Sequence, residues 1–267
     1  MNFQWITLTI NDGVAVLTLN QPKILNSLSI ELVEEMRTAI AAVSQRDDVK
    51  SLMLTGTGRS FCAGAELSPS SFMSDSENTI GQRVGQRMQA YFNPLIMDIR
   101  NLPIPVIAAV NGTAAGAGVS LALAADITIA ARSASFILTF VPRLGIIPDL
   151  GATWHLPRLI GRARAQAIAL LGNKLDAQKA TDWGLIWQCV DDDALMTEAH
   201  ALAIRLGKIP RLAIAELRQA FDAAELNDLA AQLDYEWQRQ EVLVDTEDFK
   251  EGLQSFLEKR EPVFQGR

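Results

Sequence analysis

The sequence predicts a mixed α/β fold that gives way to helices alone toward its C-terminal end. Three observations carry that expectation. The chain opens on two apolar-rich segments, Ile6 to Ile10 and Val14 to Leu19, around the turn Asn11-Asp12-Gly13, which is the signature of a β-hairpin. Strand and helix signals then alternate through the first two-thirds. From Ala194 onward only helical spacing is found, broken at Gly207 and Pro210. Residues 1–206 are therefore expected to form one core unit and residues 207–267 a helical region.

The elements follow in order. Ser29 is placed to cap a helix whose Leu32, Met36, Ile40 and Val43 recur at helical spacing. Val49 to Thr55 reads as a buried strand, followed by a turn-rich loop from Gly56 to Ser60. Ser68 to Asn78, rich in Ser, Pro and Asp, reads as a mobile surface loop. A long helix is expected from about Thr79 to Arg100. Val106 to Val110 reads as a strand, Asn111 to Gly118 as a glycine-rich loop, Val119 to Ala125 as a short helix, and Ile127 to Ala130 as a further strand. Beyond it the spacing is mostly helical, with Asp176 as a cap, Gly184 as a stop and a last strand from Ile186 to Val190.

Composition excludes several classes of function. The net charge of −7 argues against nucleic acid as the main partner, because phosphate contacts need a basic face. Two cysteines, Cys62 and Cys189, form no disulfide framework and fit a reducing, cytoplasmic setting. Two histidines, His155 and His200, with no visible ligand cluster, give no expectation of a metal. The apolar run from Val106 to Ala131 is interrupted by Asn111, Asp126 and three glycines, so no membrane span is expected.

Two loops draw attention. Val110 to Gly118 ends a strand and starts a helix, with glycines spaced GxxxGxG. That is neither a dinucleotide fingerprint nor a P-loop. Small residues nevertheless allow a ligand to approach the backbone, and the first N–H groups of a helix are unpaired and partly positive. Such a place suits a developing oxyanion; tight strand–helix packing explains the glycines equally well. Phe61 to Leu67 has the same character, with Ala63-Gly64-Ala65 keeping side chains out of the way.

Five segments together resemble the crotonase (enoyl-CoA hydratase/isomerase) superfamily. They are Leu19 to Leu28, Phe61 to Leu67, Pro105 to Gly112, Leu144 to Asp149 and Glu251 to Arg260. The resemblance implies a crotonase-like spiral of ββα turns with a C-terminal helical trimerisation region, and hence a homotrimer or hexamer. It implies an acyl-CoA thioester as substrate, with coenzyme A entering as part of that substrate and no separate cofactor. The oxyanion donors would be the backbone N–H groups of Ala65 and Ala117, flanked by Ala63, Gly64, Glu66, Leu67, Gly116 and Gly118. Coenzyme A would lie near Lys23, Ile24 and Leu25, with Phe256 and Lys259 supplied from the chain's end or from a neighbouring subunit.

The chain departs from the hydratase pattern. Hydratases of this family add water with two glutamates; one of those positions is Ser120 here, and Thr139 to Arg143, where the other belongs, holds no carboxylate. Ser120 is not in a GxSxG elbow and has only His155 or His200 as a possible base. Asp149, in Ile146-Ile147-Pro148-Asp149-Leu150-Gly151, lies where the isomerases of this family place an acid. The segment, with Trp154 to Arg158 and Leu170 to Asn173, most resembles the branch that isomerises ring epoxides of phenylacetyl-CoA. By residue type alone Asp149 also suits a helix N-cap. The expectation is an isomerase with one carboxylate base. The rivals are a hydratase using unconventional acids such as Glu66, and a weakly active acyl-CoA-binding or assembly subunit.

Overall fold

A computed structural model describes residues 2–66 and 78–266. The expected surface loop at 68–78 lies, except for Asn78, outside the described residues, as does Leu67.

The hairpin forms as expected from β1 (Ile6–Asn11) and β2 (Val14–Leu19), paired antiparallel. Its turn uses Asp12 and Gly13 at positive φ, the backbone that a two-residue hairpin loop requires. Helix α1 (Ile30–Ser44) begins at Ser29, whose hydroxyl accepts the Leu32 N–H at 3.2 Å. Its Leu32, Met36, Ile40 and Val43 are all buried, so the spacing that predicted the helix is its core stripe.

The architecture is a spiral. Each turn contributes one strand to a six-stranded sheet and a second strand to a smaller one. Strand β3 (Ser51–Gly56) is followed by β4 (Ser60–Cys62), β5 (Val106–Val110) by β6 (Thr113–Ala115), and β7 (Ile127–Ala131) by β8 (Ser135–Ile137). The larger sheet runs β1-β2-β3-β5-β7-β10, parallel after the first pair, where β10 is Gln188–Val190. The smaller runs β4-β6-β8-β9, with β9 (Leu175–Asp176) antiparallel at its edge. All five residues of β5 are buried, as a central parallel strand covered on both faces requires.

The helices between strands are α2 (Ile80–Arg87) and α3 (Asn93–Arg100), joined through one π-helical stretch at Met88–Phe92, and α4 (Ala117–Leu123). The helix expected over 79–100 is thus continuous, started by a capping box on Thr79 and Gln82. Helix α5 (Ala152–Leu171) and α6 (Ala177–Asp182) precede β10, and the Asp176 side chain caps α6 through the Lys179 N–H as expected. Helices α7 (Leu195–Leu206), α8 (Arg211–Ala224), α9 (Leu229–Val244) and α10 (Glu247–Glu258) complete the chain. The chain turns between α7 and α8, through Gly207 and Pro210. No helix among the described residues is long and apolar enough to cross a membrane.

Three expectations need correction. The glycine-rich loop contains β6, and its helix starts at Ala117 rather than Val119, because Gly116 (φ 54°, ψ −124°) makes the turn and Gly118 is already helical. The stretch after residue 131 is less helical than its periodicity suggested: β8 and β9 span only three and two residues, too short to show alternation. The last strand starts at Gln188, not Ile186.

Candidate active site

The two loops singled out in the sequence meet. The segment after β4 is pinned on one side by residues 25–28. Ala63 N–H donates to Leu25 O (3.0 Å), Leu28 N–H to Gly64 O (2.8 Å) and Glu66 N–H to Leu28 O (3.0 Å). On its other side it touches the β6–α4 loop. A β-carbon on Gly64, which sits at φ +94°, would stand 2.8 Å from Ala115 O and 3.2 Å from Ala117 N. One on Gly118 would collide with Cys62 O. The glycines therefore permit the close packing that sets the segment after β4 against the start of α4.

Ala117 is the first residue of α4, where a helix has no partner of its own for the N–H. Among the described residues, neither the Ala117 nor the Ala65 N–H has a hydrogen-bond acceptor. Phe140, buried in the short π-helical turn Phe140–Leu144, walls this place: its ring lies 3.6 Å from where a Gly116 β-carbon would be.

Asp149 approaches α4 from the segment before α5. It is not the cap of α5: that role falls to Gly151, which has no side-chain cap bond. Asp149 Oδ1 is buried and has no hydrogen-bond partner. Burial pushes its carboxyl up to about 6, against a bond to its own backbone that acts the other way. A carboxyl held near neutrality without a counter-charge is suited to taking and returning a proton.

Ser120, buried on α4 one turn beyond Ala117, donates its hydroxyl proton to Asp149 O at 2.8 Å. The serine is thus paired to a carbonyl, not to an imidazole. His155 lies on α5, buried, its ring edge-on to Trp154 with centroids 4.8 Å apart. It borders a cavity of about 660 Å³ with Arg100 and Arg158, whose guanidiniums stack on Trp154 at 4.8 and 4.3 Å. Burial first, and Arg100 next, hold its pKa down to about 4. Cys62 is buried beneath the loop, and burial pushes its thiol up to about 12, which removes it as a nucleophile.

A family model described as enoyl-CoA hydratase/isomerase matches residues 9–267. The chain belongs to the enoyl-CoA hydratase/isomerase family. It is 44% identical to the 1,2-epoxyphenylacetyl-CoA isomerase of Escherichia coli over 99% of both chains. It is 41% identical, over the whole of both chains, to a Rhodobacter capsulatus protein named "Probable enoyl-CoA hydratase". Among solved structures, an enoyl-CoA hydratase from Bacillus anthracis superposes with a TM-score of 0.89 at 34% identity, over 99% of this chain and all of that one.

Within this enoyl-CoA hydratase/isomerase fold, the segment expected to hold coenzyme A adjoins the loop after β4. Pro22–Ile24 forms a 3-10 turn with Lys23 and Ile24 exposed, and Leu25 and Asn26 both adopt positive φ. The turn is fastened by Asn26, which is fully buried. Its amide nitrogen donates to Thr57 O (3.0 Å), Ser60 O (2.8 Å) and Phe61 O (3.2 Å), and its oxygen accepts the Gln21 N–H (2.8 Å). This clamp between the turn and the segment around β4 was not read from the sequence, where Asn26 stood only as one letter of a matching motif. An asparagine tolerated at positive φ beside a proline turn was the available signal.

Phe256 and Lys259 are not brought to this place within one chain. Phe256, 80% exposed, lines an apolar cleft of about 400 Å³ with Leu212, Leu243, Phe249 and Phe264. Lys259 ends α10 at φ 54°. Among the described residues no hydrogen bond or ion pair links α10 to Pro22–Leu25. Glu66 is exposed. Leu67, expected beside the oxyanion loop, lies outside the described residues.

Proposed function

We propose that this member of the enoyl-CoA hydratase/isomerase family is an acyl-CoA isomerase with Asp149 as its single base. The observation that carries the reading is a half-buried carboxyl, raised to about 6, whose buried Oδ1 has no hydrogen-bond partner; the resemblance also puts Ser120 where a hydratase has a glutamate. The thioester oxygen sits between the Ala65 and Ala117 N–H groups, which stabilise the negative charge as the enolate forms. One such donor is worth about 3 kcal/mol in the transition state.

With a 3-enoyl thioester, Asp149 removes a proton from C2, giving a dienolate. The same carboxyl returns the proton at C4, and the double bond moves from C3–C4 to C2–C3. The Escherichia coli relative is named for an epoxyphenylacetyl thioester, and a ring epoxide is the second substrate class that the reading admits. Lys23, Ile24 and Leu25 would lie along coenzyme A, with Phe256 and Lys259 reaching it from a neighbouring subunit. Assembly as a trimer, or a pair of trimers, through residues 207–267 belongs to the same reading.

The test compares 3-enoyl-CoA isomerisation with 2-enoyl-CoA hydration at equal enzyme. Isomerisation is expected to dominate. Hydration faster by about tenfold, or roughly 1.4 kcal/mol in barrier, would reverse the assignment; binding without turnover of either would favour the assembly-subunit alternative.

A further inference from the structure

The peptide that carries Asp149 is held from outside its own segment. Asp149 O accepts two hydrogen bonds, from the Ser120 hydroxyl at 2.8 Å and from the Ala152 N–H at 2.9 Å. The residues that follow are Leu150 at φ +50° and Gly151 at φ +86°. A leucine at positive φ is a conformation that the chain does not keep without external restraint. The buried Oδ1 of the Asp149 carboxyl offers none, since it has no partner. The direction of that carboxyl is therefore set in large part by its backbone, and of the two bonds to Asp149 O the one from outside the segment is that of Ser120.

Ser120 is rigidly placed. It is fully buried on α4, three residues after Ala117. The same helix thus supplies an oxyanion donor at its first residue and the anchor of the base one turn later. We infer that Ser120 is a positioning residue for the isomerisation, fixing the Asp149 carboxyl at a set distance from the oxyanion donors through the Asp149 carbonyl. This rests on Asp149 being the base, as proposed above. Reacting groups tolerate little displacement: a shift of about 1 Å costs on the order of 10²-fold in rate.

Nearby charge does not supply the same control. Helix α4 carries no charged residue; Cys62 and Glu66 on the β4 side, Arg143, and His155, Arg158, Arg162 and Arg164 on α5 are the titratable groups on the described segments around it, and none contributes to the Asp149 shift, which comes from burial. A loosened segment would let water reach the carboxylate and lower its pKa.

The experiment uses Ser120→Ala and Ser120→Cys, with Asp149→Asn measured in parallel on 3-enoyl-CoA. Alanine removes the donor, and cysteine keeps the volume with a weak donor. Each folded variant is expected to lose at least about tenfold in kcat with KM within about twofold, and the acid limb of its kcat/KM profile to move below its wild-type position. Wild-type kcat and an unmoved acid limb in either folded variant would overturn the inference, as would a raised KM with kcat intact. If Asp149→Asn keeps the wild-type rate, the base assignment fails and the positioning role fails with it; if only Asp149→Asn is impaired, the base stands and the positioning role alone is lost.

Discussion

Gly64 lies so close to Ala117 that a β-carbon on it would stand 3.2 Å from the Ala117 backbone nitrogen. The contact joins the two loops that the functional reading makes the oxyanion hole. It also explains why a side chain is absent at this point. The φ of +94° disfavours any other residue, and on the proposed reading the thioester oxygen enters beside it.

Gly64→Ala is accordingly expected to reduce isomerisation by about 10²-fold or more, since the methyl group crowds one donor and displaces the loop. Circular dichroism should still report a folded chain. A folded variant with near wild-type kcat would show that the Ala117 N–H does not bind the reacting oxygen.

Asp149 and His155 are displaced in opposite directions by the same cause, burial. The raised Asp149 carboxyl favours the fold below 3.8, and this contribution is lost as pH rises to about 6. The lowered His155 favours the fold above 6.5 and loses its contribution as pH falls to about 4. Each amounts to something on the order of 3 kcal/mol, so they largely cancel between pH 4 and 6.5. Relative to wild type, Asp149→Asn should become more stable as pH rises from 4 to 7, and His155→Gln more stable as pH falls over the same range. Urea unfolding at the two pH values measures both; parallel curves for wild type and variants would mean that neither group is perturbed.

Much of this was legible in the sequence because the signals were local or formed ordered motifs. The hairpin, the Ser29 cap and the α1 stripe each need only a few neighbouring residues, and all formed as expected. The meeting of the two loops was foreshadowed by small residues after two buried strands. The cap assignment was legible but ambiguous: Asp after Pro satisfies a cap's chemistry, yet Leu150 at positive φ moves the start of α5 two residues on, so Gly151 takes the role. The partnerships of Asn26 and Ser120 were not legible, because their acceptors lie 29 to 35 residues away and depend on how the spiral closes.

Assembly is expected from the surface left by the last helices. Leu226, Leu229, Leu233 and Trp237 are all exposed, at 88%, 76%, 55% and 51%, and recur at helical spacing along α9 and the turn before it. A stripe of that size is expected to be covered by other copies of the chain. Light scattering at micromolar concentration should give the mass of a trimer or of two trimers, and a stable monomer would contradict this. Replacing Leu229 and Leu233 with glutamate should shift the mass toward the monomer.

Asp149→Asn tests the central claim most directly. Asparagine keeps the shape and removes the base. At pH 8 the account predicts a variant that melts no lower than wild type, isomerises 3-enoyl-CoA at least about 10²-fold more slowly, and loses solvent deuterium exchange at the carbon beside the thioester to the same extent. Near wild-type isomerisation and exchange in that variant would contradict it, and would move the search for the base to Glu66.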